Sequence, residues 1–399
     1  MNDFCLKLIG AFKRNSAMLV SIFGAAALFF SNILAKYSLS GEGYILYAKV
    51  IVLFSLAYAV VPLGMDWVIT RFSSVQTEGK LLVSSNLFKI LPLSLLVGGG
   101  SIVLWDQFWV RSNIEFYLVF SVSVLAGLMM LGFSIFRCIG KMYFAVFVAN
   151  YWKMLILLFF VLYSVDGDSW LNSVFALFGV LTILMIWVSS LNIDFRIGDL
   201  NEVSLTNWSG AYVGVLSATF FSNFDKLIFM NAEGVDFSEY FFWSSLIYSP
   251  IIIISNYFGG KRVSLIKKTG SLCFFEKDVL MLMLLAVFLL VAYYLVLVVI
   301  CVFYSDTTLP DFDILVFIGV LALGRALYGF VAQIYQAVYQ VGYVYLVSLV
   351  SLSYMGVTFI LAHFYNIGWG GVAVVTTFLW IGRCFAYYRG VILAGRAKV

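Results

Sequence analysis

Apolar runs of about twenty residues, broken by short clusters of charge and turn formers, recur along the whole chain. They show neither the strict alternation of a lipid-facing strand nor one apolar stripe on an otherwise polar helix. Windows bounded by charge predict helical spans over 17–35, 44–64, 84–104, 116–136, 143–164, 170–191, 209–230, 238–258, 279–303, 313–335, 342–362 and 367–388. The fold class expected is an all-α polytopic membrane protein with about twelve transmembrane helices. The run from Ala17 follows Lys7, Lys13 and Arg14 as in a signal peptide, but continues to about Ala35 without a small-residue cleavage site and reads as the first span.

Composition supports lipid as the solvent: of 399 residues, 63% are hydrophobic and 11% charged, too few polar side chains to coat a water-soluble core. The net charge of +4 is unevenly placed. With the N-terminus inside, the inner segments collect Arg71, Lys80, Arg137, Lys141, Arg196, Lys261, Arg262, Lys267, Lys268, Lys277, Arg389, Arg396 and Lys398, whereas the outer loops hold Lys36 and Arg111. Both termini are therefore expected in the cytoplasm. The outer loops carry acids, among them Glu42, Asp106, Asp166, Asp168, Glu233, Asp236, Asp306 and Asp311. No connection is long enough for an extramembrane domain.

The chain also repeats itself. Phe29-Phe30-Ser31-Asn32 returns as Phe220-Phe221-Ser222-Asn223, and Glu42-Gly43 returns at the same offset as Glu233-Gly234. The offset is close to half the chain, and each copy opens a block of six spans, which predicts bundles over 1–195 and 205–399. An even number of spans per block leaves both halves in one orientation, so the pseudo-twofold axis runs along the membrane normal, around a central cavity. That arrangement suits alternating access.

Ionisable groups inside spans cost about 2.5–3.5 kcal/mol each at a helix centre, so each needs a reason. The groups are Lys49, Lys89, Lys153, Lys226, Arg325 and Asp225. Lys49, Lys89 and Lys226 lie close enough to span ends to reach headgroups. Lys153 lies about 15 Å from the inner end of its span and Arg325 about 18 Å from the outer end of its own, near the midplane. Asp225, about 24 Å from its inner end, reads as too far out to pair with them. The pattern predicts a cationic cavity for an anion, contacted by Lys153 and Arg325 and secondarily by Lys49, Lys89 and Lys226. Asp225 is the candidate for coupling to H⁺ or Na⁺, and Asn32 and Asn223 for contacts between helices or gating. Pro92 with Gly98-Gly99-Gly100 in the third span, and Pro250 in the eighth, are candidate flexible points.

A resemblance adds to this. Gly41-Glu42-Gly43-Tyr44, the stretch Pro62-Leu63-Gly64-Met65-Asp66-Trp67-Val68-Ile69-Thr70-Arg71, and Asn223-Phe224-Asp225-Lys226-Leu227 resemble second-span and seventh-span motifs of polysaccharide and O-antigen flippases, within the superfamily that includes multidrug extruders. Ile45 and Ser238 stand where that family usually has glycine. The resemblance implies a bacterial inner-membrane protein that moves an undecaprenyl-pyrophosphate-linked oligosaccharide to the periplasmic leaflet. A glycan polymerase and a chain-length regulator are the implied partners, besides the bilayer itself. The alternatives are an ion-coupled multidrug extruder and a membrane glycan polymerase or ligase.

Catalysis is not expected. His363 is the single histidine, the Asp166-Gly167-Asp168 and Asp311-Phe312-Asp313 pairs sit in short loops, and the five cysteines form no framework. No phosphate-cradling glycine loop, metal site or other cofactor is indicated, and no nucleic-acid partner.

Overall fold

The structure, a computed structural model, describes residues 2–76, 78–162, 169–196, 205–230, 237–269, 275–303, 312–365 and 369–396. The helices are α1 (Asn2–Ser38), α2 (Gly41–Val60), α3 (Met65–Phe72), α4 (Ser85–Trp105), α5 (Phe116–Cys138), α6 (Met142–Leu162), α7 (Ser169–Ser190), α8 (Leu205–Met230), α9 (Phe237–Thr269), α10 (Phe275–Phe303), α11 (Phe312–Val338), α12 (Val341–Tyr365) and α13 (Trp369–Arg396). Each expected span falls on one of the twelve long helices, and eight are long and apolar enough, over their described residues, to cross a membrane. α1 and α9 run well past the apolar windows that announced them.

The short helix α3 arises from a break. Pro62 offers no N–H to continue α2, Leu63 and Gly64 take positive φ of 48° and 82°, and the chain restarts at Met65. Asp66 in the first turn of α3 meets the positive end of its helix dipole. At the other end of α5, Gly140 at φ 79° closes the helix, with Lys141 N–H donating to the Phe136 carbonyl at 2.9 Å.

Packing repeats between the halves. In the first, α1 packs on α6, α2 on α5, α4 on α5 and α5 on α7; in the second, α8 packs on α12, α9 on α11, α10 on α11 and α11 on α13. The halves meet where α1 lies on α9 and α2 on α8, with α3 and α5 reaching across to α11 and α9. The repeated tetrapeptide has one local conformation in both copies: Ser31 Oγ donates to the Ala27 carbonyl at 2.6 Å and Ser222 Oγ to the Ala218 carbonyl at 2.8 Å.

One feature lay outside the sequence reading. A three-stranded sheet caps one end of the bundle: β1 (Ser74–Val75) pairs antiparallel with β2 (Leu81–Ser84), which pairs parallel with β3 (Ile193–Arg196). Leu81, Val83 and Ile193 are buried on its inner face, and Lys80 meets Asp194 at 3.3 Å on the outer. β3 directly follows α7 and so fastens the start of the inter-half connection to the first half. Three cations of the expected inner segments lie at this sheet end: Lys80 meets Asp194, Lys141 donates to Asn192 at 2.6 Å, and Lys267 donates to the main-chain oxygens of Arg71 and Ser73 at 3.1 and 2.7 Å.

Pro92 lies inside an unbroken α4, and Gly98 is small for packing rather than for bending, since a Cβ there would strike the main chain of Val61. At this expected flexible point Gly98 and Gly99 thus sit in close contact with the end of α2 and with α5, and Gly100 faces open space. The loop acids Asp166, Asp168, Glu233, Asp236, Asp306 and Asp311, and the side chains of Asp313 and His363, lie outside the described residues.

Candidate functional site: a cavity between the two halves

Between the halves lies a cavity of about 440 Å³, walled by α1, α2, α3, α5 and α6 from one side and α8, α9, α11 and α13 from the other. Aromatic side chains from both halves also meet at either end of the bundle. At the sheet end Tyr339 packs on Trp67, with ring centroids 5.6 Å apart, and on Phe72; at the far end Phe241 packs on Tyr44 and Tyr47, both centroid distances being 6.4 Å.

Lys153 and Lys226 reach the cavity from opposite halves. On α6, Lys153 Nζ donates to Asn150 Oδ1 at 2.8 Å and stands 5.5 Å from the centre of the Trp152 ring. On α8, Lys226 Nζ stands 5.2 Å from the centre of the Phe241 ring. Neither is ion-paired among the described residues, so each presents an amine without a carboxylate partner to a largely apolar chamber. Amides and hydroxyls supply neutral hydrogen-bonding groups around them: Asn150, Asn223, Asn256, Gln333, Ser55 and Thr219 all line the wall.

Arg325 also lines the cavity, but its charge is already met. Its guanidinium forms an ion pair with Asp225, whose other oxygen accepts from the Tyr240 hydroxyl. The Tyr248 ring lies 4.1 Å from the guanidinium carbon and the Trp380 ring 5.3 Å. This corrects the expectation that Asp225 lies too far out to pair. Depth counted along hydropathy windows ignores helix tilt and the relative heights at which α8 and α11 begin, and it ignores the reach of an arginine. It also corrects the expected charge pattern of unmatched cations, since the acid neutralises the most central of them.

The other expected residues are placed as follows. Lys49 donates to the main-chain oxygen of Arg111 at 2.9 Å, at the far end, and Lys89 is exposed on α4; neither lines the cavity. Asn223 bridges the halves by accepting from Ser55 Oγ at 3.1 Å, and its amide donates to the Thr219 carbonyl at 3.0 Å. Its repeat partner Asn32 is fully buried with neither amide atom hydrogen-bonded, and it does not line the cavity.

Two arginines and an acid were overlooked as site residues. Arg137, counted as an inner-loop cation, lines the cavity while 1% exposed, and donates to Thr70, Gln333 and Gln336. Asp66, met only within a motif, lines the same floor. Arg383 on α13 is 2% exposed behind the wall, bonded to Tyr328, Ser217 and Tyr387 at 3.1, 2.7 and 2.9 Å. Its position inside the predicted last span was the signal that could have found it.

No protein-family model and no curated protein matches the chain. Solved structures do. One is the MATE multidrug transporter DinF-BH, solved as a complex, at 13% identity and a TM-score of 0.60, covering 96% of this chain and 94% of that one. Another is a multidrug-resistance MATE family transporter of the MOP superfamily in an outward-facing conformation, at 14% identity and a TM-score of 0.54 over the same shares of both chains. A third is MATE in complex with MaL6, at 15% identity and 0.54, again over 96% and 94%. The chain therefore has the fold of the MATE transporters of the MOP superfamily, two six-helix halves around a central cavity.

Proposed function

We propose that this chain is an alternating-access transporter for an anionic amphiphile, and that its cargo is an oligosaccharide linked to undecaprenyl pyrophosphate. It carries this cargo from the cytoplasmic to the periplasmic leaflet of a bacterial inner membrane, with the sheet end in the cytoplasm. The observation that carries this reading is the pair of lysines, Lys153 and Lys226, facing the cavity from opposite halves without a carboxylate on either among the described residues. A charge of about unit size beside each ammonium gains on the order of 4 kcal/mol at a separation of ~4 Å and an effective dielectric of ~20. A pyrophosphate offers such charge to both sides at once. The neutral amides suit sugar hydroxyls, and the acyl tail stays in lipid. A glycan polymerase and a chain-length regulator would act on the delivered product.

A second reading, an ion-coupled multidrug extruder, is favoured by the multidrug role named for the fold neighbours and by the aromatic wall of Phe54, Trp152, Tyr328 and Trp380. The two are separated by expressing the chain in a strain lacking its own O-antigen flippase and in a drug-sensitive strain lacking extruders. Restored surface polysaccharide without drug resistance supports the first reading, and resistance without polysaccharide replaces it by the second.

A further inference from the structure

The sheet-end floor of the cavity holds an acid and a guanidinium that do not bond to each other. Asp66 on α3 is 1% exposed, and its Oδ1 has no hydrogen-bond partner. Arg137 on α5 reaches across the seam: Nη1 donates to Gln333 Oε1 at 3.3 Å and Nη2 to Gln336 Oε1 at 3.1 Å, both on α11 of the other half. Nη2 also donates to Thr70 Oγ1 at 2.7 Å, and that hydroxyl donates to the main-chain oxygen of Asp66 at 2.7 Å. One turn of α3 thus lies between guanidinium and carboxyl. Of the other buried acids among the described residues, Asp225 is held by Arg325 and Tyr240, and Asp106 accepts from the Ser112 main-chain N–H and hydroxyl.

A buried carboxylate with an orphan oxygen is expensive, and a proton or a bonded cation removes the cost. The groups around Asp66 leave two ways to do this. Arg137 stands near it from α5, Tyr58 from α2 and Tyr339 from the connection between α11 and α12; Arg71 stands further along α3, and α8 brings Tyr212 against Gly64. Arg137 is the cation among them that also ties the halves together.

We infer that Asp66 is a protonation site that controls the seam at the sheet end. With Asp66 protonated, Arg137 stays on Gln333 and Gln336 and the halves are tied, as in this structure. When the proton leaves to cavity water, the carboxylate draws Arg137 away from the two amides, and α5 loses its hold on α11. Low pH therefore favours the closed seam and high pH the open one. The inference rests on alternating access between the halves and is independent of the cargo's identity.

The test uses the full chain in liposomes, carrying Glu78→Cys and Lys261→Cys for spin labels on the two halves at the sheet end, both sites being exposed, with the five native cysteines replaced by serine. Pulsed electron resonance gives the label-to-label distances between about pH 5 and about pH 9. The expected result is a shift toward longer distances as pH rises, lost in Asp66→Asn, which stays at the short distances at every pH. Arg137→Gln should lose the short-distance population even at low pH. If Asp66→Asn is not recovered folded, Asp66→Glu must keep the response with a displaced midpoint. An Asp66→Asn chain that responds like the parent, an Asp66→Glu chain with an unmoved midpoint, or a parent without any response overturns the inference. No cargo is added, so a failure here leaves the substrate reading standing, and a failure in the polysaccharide assay leaves this one standing.

Discussion

Removing the acid from the Asp225–Arg325 pair should be far more damaging than removing both partners. Asp225 is fully buried and Arg325 is 5% exposed, so Asp225→Asn leaves a guanidinium against the Tyr248 and Trp380 rings without its counter-charge. Breaking a buried pair from one side costs about 3–5 kcal/mol. A contact pair at an effective dielectric of ~20 gives about 4 kcal/mol, the same size. In Asp225→Asn/Arg325→Met no charge is stranded, and the double variant should return to within about 1 kcal/mol of the parent. The assay is reversible unfolding in mixed micelles across a double-mutant cycle, with a coupling of at least ~2 kcal/mol expected. If Asp225→Asn alone matches the parent, or the double variant is weaker than either single one, the pair does not fix α8 to α11 and the reasoning is wrong. The double variant should also keep transport, because Arg325 is already neutralised and the unpaired charges are on the lysines.

Other outcomes follow from single contacts. Gly64→Ala places a Cβ against the main chain of Ala211 and Tyr212 at a φ of 82°, so the break between α2 and α3 must move; a loss of at least ~1–2 kcal/mol should appear in the same unfolding assay. Ser217→Ala removes a 2.7 Å acceptor from buried Arg383, whose Nη1 already lacks a partner, and should cost about 1.5–3 kcal/mol, read as a lower melting temperature with the fold intact by circular dichroism. Lys80→Ala breaks a 3.3 Å ion pair whose side chains are 42% and 37% exposed, and should change stability by less than about 1 kcal/mol.

The spans were legible because lipid imposes its polarity on every turn of a helix that crosses it, so apolar windows bounded by charge located the twelve long helices. The break at Pro62-Leu63-Gly64 was in view as the end of a span, but a window cannot show that the chain resumes as α3 and carries Asp66 into the cavity floor. The sheet was not legible: its strands are two and four residues long, and β2 finds a partner in β3 more than a hundred positions away. At the site, Lys153 was legible because a lysine deep in an apolar run must face protein or water. The partner of Arg325 was not, since tilt and side-chain reach decide which charges meet. Arg137 was hidden by sitting at a span's edge, where a cation also serves topology.

Recognition of a pyrophosphate by Lys153 and Lys226 is the central claim, and binding tests it most directly. The purified chain and its Lys153→Gln/Lys226→Gln variant are each titrated with an undecaprenyl-pyrophosphate oligosaccharide and with the same glycan on a phosphate-free lipid. The parent is expected to prefer the pyrophosphate form by at least ~10-fold, about 1.4 kcal/mol, and the variant to lose the preference. Equal affinity of the parent for both lipids, or a preference that survives in the variant, would contradict the claim.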